Sequence, residues 1–294
     1  MVEATLLEQR ATLRIGGADA RPFLQGLISN DVTKATPTHS LYATLLTAQG
    51  RFLHDFFIVQ HGDDLLLEVA RARRDDLARR LSLYRLRSKV TIAPDDGWAV
   101  AALWPETALA PIGLPASPGA TAAHAGAIVL VDPRLAALGA RLLAPRDRLD
   151  AALAGFTRTP LADYERHRRR LGVPEGGDEL VVDKSILLEN GIDELNGVDW
   201  QKGCYVGQEL TARTKYRGLI KKRLLPVEID GPLPAPGTPV THGTQEAGEL
   251  RSAADGVGLA LLRLEMLDAA ALDGEPLRAG GARLTVHRPD WMKF

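Results

Sequence analysis

A chain of 294 residues with 36 basic and 37 acidic side chains is almost neutral, so nothing global draws it to nucleic acid or to an anionic membrane. With 45% hydrophobic residues it can bury a sizeable core, and its length suits about two domains. A single cysteine excludes an intrachain disulfide framework and fits a reducing compartment, and no apolar run approaches the ~20 residues that span a bilayer.

In chain order, the first eight residues lack the basic segment and apolar core of a signal peptide. Their two glutamates argue against a transit peptide, so the expected location is the cytoplasm. Residues 11–15 alternate apolar and polar as a strand does, and Gly16-Gly17 turns the chain. Asp19 then caps a helix carrying Phe23, Leu24, Leu27 and Ile28 on one face, ended by Asn30-Asp31. Residues 41–46 and 52–59 are strand-like around a Gln49-Gly50 hairpin turn, and 65–69 form a third strand. Residues 71–86, with Leu77, Leu81 and Tyr84 at helical spacing, read as an amphipathic helix whose arginines form a solvated face. Strands follow at 90–92 and 98–103, then a loop-rich connection over 105–125. Residues 128–132 and 140–143 are strands, 146–153 a short helix, and 163–170 a helix with a basic face that Pro174 to Gly177 breaks.

The next stretch, Lys202-Gly203-Cys204-Tyr205-Val206-Gly207-Gln208-Glu209 running into Leu210-Thr211-Ala212-Arg213, holds the only cysteine. A helix is expected from Gly207 or Gln208, which puts Cys204 just ahead of a helix N-terminus and near Lys202. Both neighbours favour a thiolate and lower its pKa below the free value of about 8.5. The alternative is a buried cysteine acting as a small apolar residue.

Past Arg213 the character changes. Arg213, Lys215, Arg217, Lys221, Lys222 and Arg223 occur with no acidic side chain among them, which suits a solvated flank, a counter-charge for the glutamate tail of a folate, or an RNA contact. Strand-like pieces at 224–229, 238–241, 248–252, 257–264 and 282–287 suggest a small β-barrel or sandwich beginning near Lys221.

No HExxH, paired CxxC, P-loop or Rossmann spacing is present, so no metal or phosphate site can be written from the chain alone. One cysteine cannot supply the roughly four ligands, mostly thiolates, of an iron–sulfur cluster. Asp55 stands inside an expected strand, where a carboxylate is either on the wet face or costly to bury without a partner.

The run from Lys202 to Arg213, with Arg217-Gly218 beyond it, resembles the signature of the YgfZ family, which includes mitochondrial iron–sulfur assembly factors and belongs to the superfamily of the glycine-cleavage T-protein, a folate-dependent aminomethyltransferase. Phe23-Leu24-Gln25-Gly26 with Asn30-Asp31-Val32, Gly50 to Asp55, and Gly172 to Gly176 resemble other segments of these proteins. The resemblance implies a T-protein-like α+β fold, with interleaved α/β subdomains around a central channel over residues 1–220 (an insert at about 48–145) and a C-terminal β-barrel over 221–294. It also implies a folate-binding accessory factor for iron–sulfur cluster assembly or repair, with tetrahydrofolate as cofactor, iron–sulfur client or carrier proteins as partners, and a monomeric state. Cys204 and Asp55 would be its catalytic residues, and Asp55, Lys202, Tyr205, Gln208, Arg213 and Arg217 its folate contacts. The competing classes are a folate-dependent aminomethyl or one-carbon transferase and an RNA-binding module related to tRNA modification, using 213–223. Two positions depart from the superfamily pattern. His54 stands where the T-protein has a second aspartate, which argues against transferase chemistry. Arg170 stands where several members have a pterin-gripping glutamate.

Overall fold

The apolar runs assemble into three sheets in the computed structural model, which describes residues 2–177, 179–218 and 220–294. The first sheet is five-stranded, in the order Leu41–Leu46, Phe52–His61, Asp64–Ala70, Arg10–Gly16 and Thr91–Asp95, with antiparallel neighbours throughout. The second is six-stranded, in the order Thr157–Arg158, Glu3–Leu6, Trp98–Trp104, Ala140–Pro145, Ala127–Val131 and Thr121–His124. The third closes on itself as a barrel of Lys222–Asp230, Val257–Arg263, Gln245–Ala254, Pro239–His242, Leu277–Ala279 and Ala282–Val286. Strands between residues 48 and 145 are divided between the first two sheets, and Phe52–His61 pairs back across position 48 with Leu41–Leu46.

The two open sheets stack. One face of the first sheet, with Leu13, Ile15, Phe56, Ile58 and Leu67, packs against helix Ala20–Gln25 and against Leu77 and Leu81 of helix Arg74–Tyr84. Its other face brings Val59 and Leu66 against Trp98, Val100, Leu130 and Leu143 of the second sheet. Strands covered on both sides need continuous rather than alternating apolar residues, which is why Phe52 to Val59 is buried throughout. Each such Leu or Phe contributes about 1.5–3 kcal/mol.

Several local expectations need correction. Asp19 sits at the helix start without a side-chain cap. Its carboxylate accepts the Lys89 N–H instead. Residues 105–125 include a strand, Thr121–His124. Residues 146–153 form a 3-10 turn followed by a single α-turn, Leu149–Ala152. Helix Leu264–Asp273, which packs on the barrel through Met266, Leu267 and Ala270, fills most of the gap between the expected strands 257–264 and 282–287, for which no element was expected.

Candidate functional site

Helix Gln208–Tyr216 begins where the sequence placed it, with Gly207 as its cap at a left-handed φ of 82°. The preceding loop is held by the Val206 N–H donating to Gly26 O at 3.2 Å and by the Tyr205 N–H donating to Gln208 Oε1 at 3.2 Å. Cys204 is exposed on this loop, three positions before the cap. The buried-cysteine alternative is thereby removed.

Lys202 does not serve the thiol. Its ammonium turns inward and donates to the carbonyls of Gln25 (2.9 Å), Ile28 (2.5 Å) and Asn30 (2.9 Å), which uses all three of its donors. Burial pulls its pKa down to about 8. Tyr205 lies half-buried with its ring 5.1 Å from that ammonium, and burial pushes its hydroxyl up to about 12. Lys202, Tyr205 and Gln208 therefore build the loop. Arg213 is exposed and paired with Glu209 at 2.5 Å, and Arg217 is exposed.

The basic run does not act as one stripe. Lys215 pairs with Asp193 at 3.0 Å, and its ammonium lies 5.3 Å from the Trp200 ring. Arg223 is buried, paired with Glu194 and donating to Leu188 O, which latches the barrel to the preceding segment.

Asp55 is not on a wet face. It is 3% exposed, accepts the Tyr42 hydroxyl at 3.1 Å, and packs so tightly under Gly176 that a Cβ there would collide with its carboxylate. Burial raises its pKa. Arg10 opposes this and Glu175 reinforces it. Around it runs a buried ionic network that sequence reasoning missed. Glu68 accepts from Arg10 at 2.8 Å and from Arg141 at 2.5 Å, and Asp132 accepts from Arg141 at 3.1 Å and from Arg134 at 2.9 Å. Glu175 lies 3.4 Å from Arg141, and the Arg141 guanidinium stacks 3.9 Å from the Phe57 ring centroid. The missed signal was an isolated charge inside an apolar run, as in Leu65-Leu66-Leu67-Glu68-Val69. Neighbouring His54 donates its Nε2–H to the Asp76 carboxylate at 3.0 Å, and burial together with Arg73 holds its pKa at about 4. Arg170 is exposed at the end of helix Leu161–Arg170.

A cleft of about 600 Å³ opens beside the cysteine loop, lined among others by Asn30, Lys34, Tyr42, Asn196, Asp199 and Trp200. Lys34 and Asp199 pair across it at 2.5 Å, and the Asn30 amide donates to the carbonyls of Tyr42 and Asn196 at 2.8 Å each. Tyr42 lines the cleft and holds Asp55 behind it, while Asp55 itself adjoins a separate void with no room for water. Thus the expected folate contacts do not converge on one cavity. Among the described residues, the cluster of three metal-ligating side chains, His242, Asp273 and Glu275, lies at the barrel and excludes Cys204.

Residues 221–294 match the family model described as CAF17, C-terminal beta-barrel domain. The human mitochondrial iron–sulfur cluster assembly factor IBA57 is 37% identical over 303 residues, covering 97% of this chain and 84% of that protein. The chain belongs to the IBA57 family. The mouse IBA57 factor is 35% identical with the same coverage, and the Pyricularia oryzae homologue is 32% identical over 94% of this chain and 75% of its own length. The crystal structure of the glycine cleavage system aminomethyltransferase T from Bartonella henselae superposes with a TM-score of 0.76 over 99% of this chain and 86% of that one, at 14% identity. That likeness establishes the T-protein-like fold with its added barrel. The YgfZ resemblance accordingly stands at the level of a related family. The IBA57 relatives are named mitochondrial proteins, which overturns the cytoplasmic expectation. The expectation leaned on the first eight residues, of which Glu3–Leu6 is a strand paired with Trp98–Trp104, so the segment belongs to the folded sheet and is no guide to address.

Proposed function

We propose that this protein is an iron–sulfur cluster assembly factor that acts through Cys204 and takes a reduced folate, tetrahydrofolate or a derivative, in the cleft lined by Lys34, Asp199, Trp200 and Gln201. The observation that carries the reading is the exposed lone thiol on a loop pinned by Lys202 and Val206 to the end of helix Ala20–Gln25 and the turn after it. The names of the IBA57 relatives supply the class of client. Since a cluster takes about four ligands, mostly thiolates, Cys204 lends one ligand or one transient sulfur contact while a partner supplies the others. The cleft falls in the size range of small-molecule sites, and the half-buried Trp200 offers an aromatic surface to a planar ring, with Lys34 at the rim for an anionic tail. Asp55 is shut behind Tyr42, which argues against the aminomethyltransferase alternative, because that chemistry needs a carboxylate at the reacting nitrogens.

The test has two parts. Cys204→Ser keeps the size of the side chain and removes its softness toward iron, so the variant should melt like wild type, yet cells carrying only it should lose enzymes that depend on four-iron clusters. Full restoration of those enzymes would remove Cys204 from the mechanism. Equilibrium dialysis should show tetrahydrofolate binding that weakens in Trp200→Ala and persists in Asp55→Asn. No binding to wild type would end the folate reading, and ammonia release from an aminomethyl donor would replace it with transferase chemistry.

A further inference from the structure

One strongly charged stretch plays no part in the function so far. Residues 77–94 hold Arg79, Arg80, Arg85, Arg87 and Lys89 and not one acidic side chain, on a chain whose net charge is −1. Arg79 and Arg80 are paired with Asp76. Arg85, Arg87 and Lys89 are exposed and make no ion pair among the described residues. Interleaved with them, Leu83, Tyr84 and Leu86 are 68%, 46% and 89% exposed. Leu86 also takes a φ of 43°, a left-handed conformation that a large side chain adopts only against steric resistance. A strained backbone thus holds an apolar side chain out in water. Single exposed apolar residues need no explanation, but three within four positions, set among unpaired cations, mark a contact surface.

Its position identifies the contact. The Lys89 N–H donates to the Asp19 carboxylate at 2.7 Å and the Asp19 N–H to Lys89 O at 3.3 Å, which ties the stretch to the start of helix Ala20–Gln25. At the other end of that helix, Gln25 O accepts from Lys202 and Gly26 O from Val206, the two anchors of the cysteine loop. The helix has six residues and is therefore about 9 Å long. The cationic, apolar loop and the exposed thiol flank one short rod.

We infer that residues 83–89 are a docking surface for an acidic, cluster-carrying protein, placed so that the partner's cluster meets Cys204 while its acidic rim meets Arg85, Arg87 and Lys89. The inference rests on the cluster-assembly reading above and adds the chemistry of the partner. A cluster held by about four thiolates is anionic, because sulfide and thiolate charge exceeds that of the iron. A protein presenting one therefore favours a cationic landing surface, which speeds and orients encounter. An anionic lipid surface would match the loop's charge but gives no reason for its place on the same short helix that anchors the thiol loop.

The experiment uses the full chain in cells with a photo-crosslinking amino acid at Leu86 or at Gln201, which is exposed beside the cysteine loop. Both positions should capture the same protein, it should be acidic and show cluster absorption, and Arg85→Glu/Arg87→Glu should lower both adduct yields by about tenfold with unchanged melting. No adduct from Leu86, different proteins from the two positions, or a captured protein lacking a cluster would each overturn the docking surface. Lipid adducts at Leu86, with binding to phosphatidylglycerol vesicles abolished by the same double charge reversal, would overturn it in favour of a membrane. Shared capture that survives in a Cys204→Ser strain with fully active cluster enzymes would leave the docking surface standing and remove the cysteine mechanism alone.

Discussion

Gly50 and Gly207 meet backbone to backbone: a Cβ built on Gly50 would lie 2.7 Å from the carbonyl oxygen of Gly207. The turn that joins the first two strands of the five-stranded sheet is pressed into the head of helix Gln208–Tyr216, and this contact fixes where the cysteine loop leaves the body of the protein.

The two glycines around Cys204 consequently have different duties. Gly207 is left-handed, and a Cβ there would strike Thr47 O, whereas one on Gly203 meets nothing within 4 Å. Gly207→Ala should lower stability by about 2 kcal/mol or more, and Gly203→Ala should stay within about 0.5 kcal/mol of wild type. Urea midpoints at constant m would decide it, and equal effects at the two positions would refute the assignment.

Lys202 should behave as a structural cross-link. Lys202→Met leaves three carbonyls that faced its ammonium without a donor, a loss of about 2 kcal/mol. Lys202→Arg should fall between, because a planar guanidinium cannot point three N–H groups at three carbonyls around one atom. Thermal melts of the two variants suffice, and a Lys202→Met protein as stable as wild type would show that the three bonds contribute nothing.

How much of this was legible is plain at particular residues. The start of helix Gln208–Tyr216 and the onset of the barrel strand at Lys222 could be read, because glycine, helix formers and a run of short apolar segments are local signals. The burial of Asp55 could not, since a strand covered on both faces has no wet side for alternation to report. The partners in the ionic network are equally hidden: Arg10, Glu68, Arg141 and Glu175 are separated by dozens of residues and meet only through sheet stacking. The direction of Lys202 depends on carbonyls about 170 positions away in sequence. Helix Leu264–Asp273 is a different case. Its ten residues lack proline and end at a left-handed Gly274, a signal present in the sequence but overridden by the rhythm of the barrel strands.

The network around Glu68 should show strong coupling. Arg141→Met strands Glu68 and Asp132 without one of their cations in a site where all three side chains are fully enclosed, so a loss of about 3–5 kcal/mol is expected. Adding Glu68→Gln removes one of the abandoned charges and should recover part of that loss. A double-mutant cycle by chemical denaturation measures the coupling, and strict additivity would show that the two groups do not sense each other.

His54 gives a pH dependence with a definite sign. Its side chain is enclosed, Nδ1 has no partner, and the pKa of about 4 lies below the ~6.5 of an unfolded histidine. As pH falls from about 7, the unfolded chain takes up this proton before the folded one does, so stability declines with pH until the folded ring is also protonated near 4. The whole effect is at most about 3 kcal/mol. His39 and His167 are depressed by burial as well and add in the same direction, while the carboxylates Asp76, Asp132 and Glu179, held below their ordinary range, contribute stability that is lost only as pH falls below about 4. His54→Asn keeps a polar group for Asp76 and removes the titration, so its unfolding free energy should fall less steeply than wild type between about pH 7 and about pH 4.5. Unfolding curves at a series of pH values would check this, and parallel slopes for the two proteins would mean that His54 is protonated as readily inside the fold as outside it.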